Sequence, residues 1–380
     1  MKLGRPLRPL VGEGLLLSEG ETWRRQRKSL APVFTPAAIG GLIPHFAAAG
    51  ADLAQRLAGR DRANLSEAFH HTALDAVLRA LFSRRADKEG AELAQIARKY
   101  VEGPAHFRLF DFMGQGLDDL TFADGDRRKL GGRWLATVDA IIAERRETPP
   151  MDGKPGDMLD RLMAARDEDD RPLPGHEIRD QCSSMLAAGF ETTSRLLFWA
   201  TYLLALDPVT QGRVRAEVAT FPPERATSLE DLKAWPLLRS VLFETLRLYP
   251  AAPTFGRQAL AGDDLMGHPV QAGATITIGP WLMHRHRKLW DAPTVFRPER
   301  FIDQPHPWGL EAFVPFGAGP RVCIGAGFAL AEAQLVLATL LARFRVTLAG
   351  ERPVLPKASI TLGPDHEPDF RLEPIPSRQT

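Results

Sequence analysis

Apolar residues recur at helical spacing through the first two thirds of the chain, and alternating, strand-like patterns come only after residue 250. These two observations predict a mostly α, α+β fold with a small sheet late in the sequence. A third sharpens the reading: a glycine-rich loop presents one thiol, Cys323, just before a long apolar helical run. At 380 residues the chain can bury about three quarters of its unfolded surface, so it needs no disulfide or structural metal to fold. One continuous domain over residues 1–380 is expected.

Each element has a local cause in the sequence. Residues 19–30 form a polar, basic helix around Trp23, stopped by Pro32. Residues 37–57 and 66–82 carry apolar side chains at helical spacing, and Ser66 reads as an N-cap. Residues 127–147 make another helix, ended by Pro149 and Pro150. A short helix over 157–166 and a solvated acidic loop over 167–170 follow. The longest helical pattern, 176–206, stops at Asp207 and Pro208. Residues 235–248 form an amphipathic helix closed by Pro250. Thr275–Ile278 alternates like a strand. Residues 281–313 show no period, 324–344 form the last long helix, and Thr361, Leu362 and Gly363 mark a hairpin.

Composition excludes several functions. The chain is 44% hydrophobic and 25% charged, and 48 basic against 47 acidic residues leave a formal charge of +1. No charge excess points to nucleic acid or to an anionic membrane surface. The basic start is followed by Leu15, Leu16 and Leu17, too short a run for a signal peptide. The longest apolar stretch, 196–206, falls short of the roughly 20 residues a membrane span needs. Two distant cysteines, Cys182 and Cys323, make no disulfide framework. A cytoplasmic protein without a membrane anchor is expected.

The chemistry centres on Phe316, Gly317, Gly319, Arg321, Cys323 and Gly325. Free N–H groups at the start of the following helix can donate to a thiolate, and the helix dipole adds about 0.3–1 kcal/mol. Arg321 can pair with an anion, and the glycines let backbone approach a bulky flat partner. An isolated cysteine before a helix is more often an inert core residue. Zinc or an iron–sulfur cluster would need partner ligands that the neighbouring sequence lacks. A single thiolate suits haem as an axial ligand.

The spacing F-x-x-G-x-R-x-C-x-G resembles the haem-binding signature of the cytochrome P450 family at every position, and Ala329 and Glu332 extend the likeness. The resemblance implies that Cys323 is the proximal ligand of haem b (iron protoporphyrin IX), with Phe316, Gly325 and Ala329 beside it and Arg321 on a propionate. Glu244 and Arg247 are similar to the family's E-x-x-R pair. With Arg300 of the segment Pro298–Phe301 they imply a structural network that locks the cysteine loop. Alone, an i,i+3 pair of charges would be a surface contact worth about 0–1 kcal/mol.

Ala188, Gly189, Glu191, Thr192 and Thr193 resemble the oxygen-activation motif, implying that Thr192 bonds the iron-bound oxygen species and Glu191 relays protons. Physically, glycine and threonines are poor helix-interior residues. A Thr hydroxyl can bond back to the carbonyl four residues earlier, bending the helix and leaving room for water beside Gly189. Trp23 and Arg27 look like the family's W-x-x-x-R helix and, with Arg257, imply further propionate contacts. Arg24, Arg25 and Lys28 would then face an acidic redox partner. By the same analogy, Ala187, Ala188, Ala252, Thr254, Phe255 and Leu362 line a pocket for a small apolar organic substrate. His284 and His286, at i,i+2, share no helix face and read as structural.

The likeness covers nearly the whole chain and implies a haem-thiolate monooxygenase that uses O2. Electrons would come from a ferredoxin or flavoprotein reductase, because the chain carries no flavin or iron–sulfur motif. A peroxide-driven haem-thiolate enzyme and a non-catalytic haem sensor are the other classes. In the family a substantial segment precedes the W-x-x-x-R helix, whereas Trp23 lies close to the start here. The expectation is an N-terminally incomplete fold in which Thr275–Ile278 is left with an open edge.

Overall fold

Among the described residues up to 248, helices dominate as the 3.6-residue period requires, with one short strand at Arg62–Asn64. In this computed structural model, residues 4, 6–86, 88–103, 125–148, 156–166, 170–302 and 312–375 are described. The helices of this part are α1 (Arg8–Val11), α2 (Gly20–Leu30), α3 (Pro36–Gly40), α4 (Ile43–Leu57), α5 (Leu65–Phe82), α6 (Lys88–Glu102), α7 (Gly125–Glu147), α8 (Met158–Ala164), α9 (Gly175–Leu206), α10 (Pro208–Thr220) and α11 (Pro236–Leu248). Two more, α12 (Pro280–Met283) and α13 (Ala326–Arg343), flank the cysteine loop. The strands are β1 (Arg62–Asn64), β2 (Phe255–Gln258), β3 (Asp263–Leu265), β4 (His268–Val270), β5 (Thr275–Ile278), β6 (Phe344–Leu348), β7 (Pro356–Ala358), β8 (Leu362–Pro364) and β9 (Asp369–Pro374). They make a three-stranded sheet ordered β1-β9-β6 and the antiparallel pairs β2-β5, β3-β4 and β7-β8. The mostly α, α+β class expected from the sequence is the class observed.

The core is built around α9, on which α5, α7, α11 and α13 pack. Helix α4 lies on α13, where Phe46 meets Phe328 edge to face at 4.7 Å. By length and apolarity alone, Pro36–Leu57 and Ala326–Arg343 could each cross a membrane, so the expectation that no stretch is long enough is corrected. Both are apolar because they pack against each other in the core.

Several boundaries differ from the sequence reading. Asn64, not Ser66, caps α5: its side chain accepts from Glu67 N–H at 3.1 Å, and Ser66 is buried within the first turn. The helix expected over 37–57 is divided at Gly41 and Leu42. The last helix begins at Ala326, since Gly325 is its N-cap, and Phe344 already belongs to β6. Pro149, Pro150 and most of the acidic loop at 167–170 lie outside the described residues. Among the described residues β5 pairs with β2 alone.

The segment before α2 is strapped across α7 and α9. Glu13 N–H donates to Asp180 Oδ2 and Leu15 N–H to Gln181 Oε1, both at 2.9 Å. A Cβ at Gly131 of α7 would stand 2.1 Å from the Pro9 carbonyl oxygen, so only glycine admits α1 there. Gly131→Ala should therefore destabilise the protein by about 1–3 kcal/mol and expose the first residues to protease. Chemical denaturation and limited proteolysis check this, and an unchanged midpoint with an unchanged cleavage pattern would contradict it.

Candidate active site

The middle of α9 supplies one wall. Thr192 donates from Oγ1 to the Ala188 carbonyl at 2.7 Å, the back-bond expected of a threonine inside a helix. Ala188 is exposed although α9 is buried along most of its length. Ala187, Gly189 and Thr192 beside it are half-buried. A Cβ at Gly189 would lie 3.0 Å from Val77 Cγ2, so the missing side chain lets α5 approach closely there.

Glu191 points into a polar cluster. It accepts from His70 Nε2 at 2.8 Å, Arg195 Nε at 3.0 Å and Thr361 Oγ1 at 2.9 Å. Burial pushes its carboxyl up, but the bond and charge of His70, the charge of Arg195 and the Thr361 hydroxyl outweigh it and hold it at about 2. His70, Arg195 and Thr361 were not singled out from the sequence, because no local pattern joins α5 and the β7-β8 turn to residue 191.

The opposite wall is the cysteine loop. Cys323 N–H donates to Phe316 O at 2.9 Å, and Gly317 N–H to Val314 O at 3.0 Å. Gly317 and Gly319 take left-handed φ values of 76° and 72°, which other residues rarely adopt. Cys323 has accessible surface yet is ringed by protein atoms. Burial pushes its thiol up, while the Gly325 N–H and the charge of Arg27 pull it down. Cys182 is core, and burial pushes its thiol up too.

Around this loop Arg27 donates to Val322 O at 2.9 Å, Arg321 to Ser18 O at 2.8 Å and Arg257 to Gly256 O at 2.9 Å. The Arg321 guanidinium stacks over the Trp23 ring at 4.6 Å. Burial and then the like charge of Arg257 push the Arg321 pKa down, against Glu19. Among the described residues, none of these three guanidiniums forms an ion pair with a carboxylate. Arg25, expected to face a partner, instead grips Glu177 of α9 with two hydrogen bonds at 3.1 and 2.8 Å. Arg24 pairs with Glu21 at the surface.

Glu244 and Arg247 have no exposed surface. Arg247 meets Glu244 through Nε at 2.7 Å and Nη2 at 2.8 Å, and also donates to the carbonyls of His284, Pro293 and Val295. Glu244 further accepts from Arg297 N–H at 2.9 Å and from Arg300 Nε at 3.3 Å. His284 carries this lattice to the cysteine loop: its Nε2 accepts from Val314 N–H at 2.9 Å. Burial lowers its pKa to about 4, so it is the neutral acceptor this bond requires.

Glu332 on α13 is fully buried. Neither of its carboxyl oxygens, nor Thr193 Oγ1 facing it, has a hydrogen-bond partner among the described residues. Burial raises its pKa well above the ordinary range, with the Thr193 hydroxyl opposing, which favours its neutral form. Of the expected pocket residues, Ala188 and Thr254 are exposed, and Ala252 and Phe255 are half-buried. Leu362 is buried, and its backbone joins Trp199 Nε1 and Ala251 O.

The fold and the site together define a haem-thiolate protein, and comparison with known proteins agrees. The family model for cytochrome P450 matches residues 7–366. Cytokinin hydroxylase of Arabidopsis thaliana is 31% identical over 97% of this chain and 73% of its own length. Pentalenene oxygenase of Streptomyces avermitilis is 31% identical over 93% of this chain and 78% of its own. A crystal structure of a cytochrome P450, CYP102L1, superposes with a TM-score of 0.84 at 25% identity, over 99% of this chain and 84% of that one. The chain belongs to the cytochrome P450 family. It is a haem-thiolate monooxygenase with haem b as cofactor, and it uses O2 and electrons from a redox partner. The donor set fits that group: an accessible thiol at a glycine-bounded loop, and three guanidiniums without carboxylate partners for two propionates.

Two predictions follow from the buried charges. Arg247→Ala should cost about 3–5 kcal/mol and leave little haem-loaded protein, because Glu244 would stay buried and uncompensated. Normal holoprotein yield would contradict this. Glu332 is protonated more readily folded than unfolded, so its contribution is full below its unfolded pKa of about 4.3 and is lost as pH rises. Glu332→Gln, neutral throughout, should gain stability over wild type at about pH 8 and much less near pH 5. Denaturant midpoints at the two values decide; an equal difference at both would mean Glu332 is not held neutral.

Proposed function

We propose that Cys323 Sγ would hold the haem iron and that the other residues of the cysteine loop and α9 divide binding from proton handling. The observation that carries this reading is the accessible Cys323 thiol set amid guanidiniums that meet no carboxylate among the described residues. When bound, haem supplies the iron at which O2 is activated for insertion of one oxygen atom into an organic substrate. Gly325 N–H donates toward Sγ, and Phe316, Gly325 and Ala329 flank it. Trp23, Arg27, Arg257 and Arg321 hold the propionates, where Arg forks match carboxylates. Thr192 keeps its lone pairs free to accept from water while its proton rests on Ala188 O, and Glu191 serves as the acid that relays protons toward it. Glu244, Arg247 and Arg300 hold the loop in place.

The substrate in this reading is small, apolar and organic, held by Ala187, Ala188, Ala252, Thr254, Phe255 and Leu362, which offer it little polarity. Pentalenene oxygenase, by its name, acts on pentalenene, which supports such a class. The electron donor is a ferredoxin or flavoprotein reductase. The chain acts as one domain in the cytoplasm. The reading is tested by the reduced, CO-bound spectrum, which should show the red-shifted Soret band of a thiolate ligand. Cys323→Ser should abolish that band; its persistence would remove Cys323 from the iron.

A further inference from the structure

The cluster around Glu191 contains a group that the family motif does not include. His70 of α5 has Nδ1 at 2.8 Å from Ser66 O and Nε2 at 2.8 Å from Glu191 Oε2. Ser66 O can only accept, and an ionised Glu191 accepts as well, so a ring with a proton on each nitrogen would satisfy both contacts. Glu191 receives three donors and offers none, so it is the ionised partner. The proton shared by the pair therefore sits on His70. Its side chain is 27% exposed, against 8% for Glu191, so solvent reaches it first.

We infer that His70 is the proton-holding member of the relay that serves Thr192: the proton bound for the oxygen site resides on its Nε2 and crosses to Glu191 only as it is consumed. The inference rests on the relay reading of Glu191 above. In the transfer the Nε2–H bond breaks as an O–H bond forms at Glu191 Oε2, leaving both groups neutral. Glu191 then gives that proton toward Thr192 and is an anion again, and solvent restores His70; no electron moves. His70 is a positioning residue in this scheme, since it acts through Glu191. The charged groups around it are Glu191 and Arg195 on α9, Glu67 and His71 on its own helix, and Glu367, which accepts from Ser66 at 3.3 Å. Arg195 keeps Glu191 Oε1 while Oε2 exchanges its proton.

The test uses the full holoprotein with isotope-labelled histidine, the His70 signal being identified by its loss in His70→Gln. Both ring nitrogens should be protonated at pH 7, and Glu191→Gln should make that ring give up its Nε2 proton at a lower pH. A neutral His70 ring at pH 7 overturns the inference. O2 consumption is then followed from about pH 6 to 9, with a surrogate ferredoxin and reductase as electron source and no organic substrate. Wild type should slow several-fold across the pH at which the His70 signal titrates. His70→Lys keeps a cation against Glu191 but does not titrate in that window, so the break should vanish; His70→Gln should be slow at every pH. If Glu191→Gln slows consumption while His70→Lys keeps the wild-type break, His70 is not the proton holder. If Glu191→Gln leaves rate and pH dependence unchanged, the relay reading of Glu191 itself fails.

Discussion

Glu244 and Arg247 carry opposite charges with no exposed surface, and the cysteine side of the fold hangs on how they are satisfied. Taking each ion out of water costs several kcal/mol, which mutual attraction repays only when the remaining donors and acceptors are also used. Here they are. All five N–H groups of Arg247 find oxygens: two on Glu244 and three on the carbonyls of residues 284, 293 and 295. Glu244 closes the ring by accepting from the backbone of Arg297 and the side chain of Arg300. The stretch from 284 to 300 has little regular structure of its own. It is ordered instead by these bonds, and His284 passes that order to Val314 and so to the loop ending at Cys323.

Three other buried titratable groups show that burial alone does not set charge. Glu191 and Glu332 both lie within the core, yet one is held at about 2 and the other far above its ordinary value. Desolvation pushes both the same way. The difference is in the partners: three hydrogen bonds and the charges of His70 and Arg195 for Glu191, against only the opposing Thr193 hydroxyl for Glu332. His284 is the mirror case, a base kept neutral because the loop needs an acceptor at Nε2. Protons in this core therefore sit at definite atoms, set by partners from other elements.

What was legible in the sequence follows from that. The cysteine loop and the Glu244–Arg247 pair are contiguous, so their spacing carried the class of protein and the fold. The helix class also followed from periodicity. Partners contributed across the fold did not: Arg25 looked like a free surface cation until α9 brought Glu177 to it, and nothing near residue 70 announces Glu191. Gly189 has a packing role that was hidden for a related reason. A glycine in a helix signals either a local irregularity or a close neighbour, and only the crossing of α5 decides which. Ser66 lost the capping position to Asn64 because β1 ends there, leaving the Asn64 side chain free to turn back on Glu67 N–H.

The Gly189 crossing also sets the geometry of the polar cluster. Val77 and His70 lie two turns apart on the same face of α5, since seven residues nearly complete two turns. Val77 seats against Gly189 and His70 against Glu191. The closeness of the first contact therefore governs the second. A side chain at 189 would press on Val77 at 3.0 Å and tend to move the helix axes apart. A hydrogen bond of 2.8 Å tolerates a shift of only a few tenths of an ångström before it weakens. In this chain the glycine beside the threonine thus does more than loosen α9. It brings a second helix, and the histidine on it, within reach of the Glu191 carboxylate.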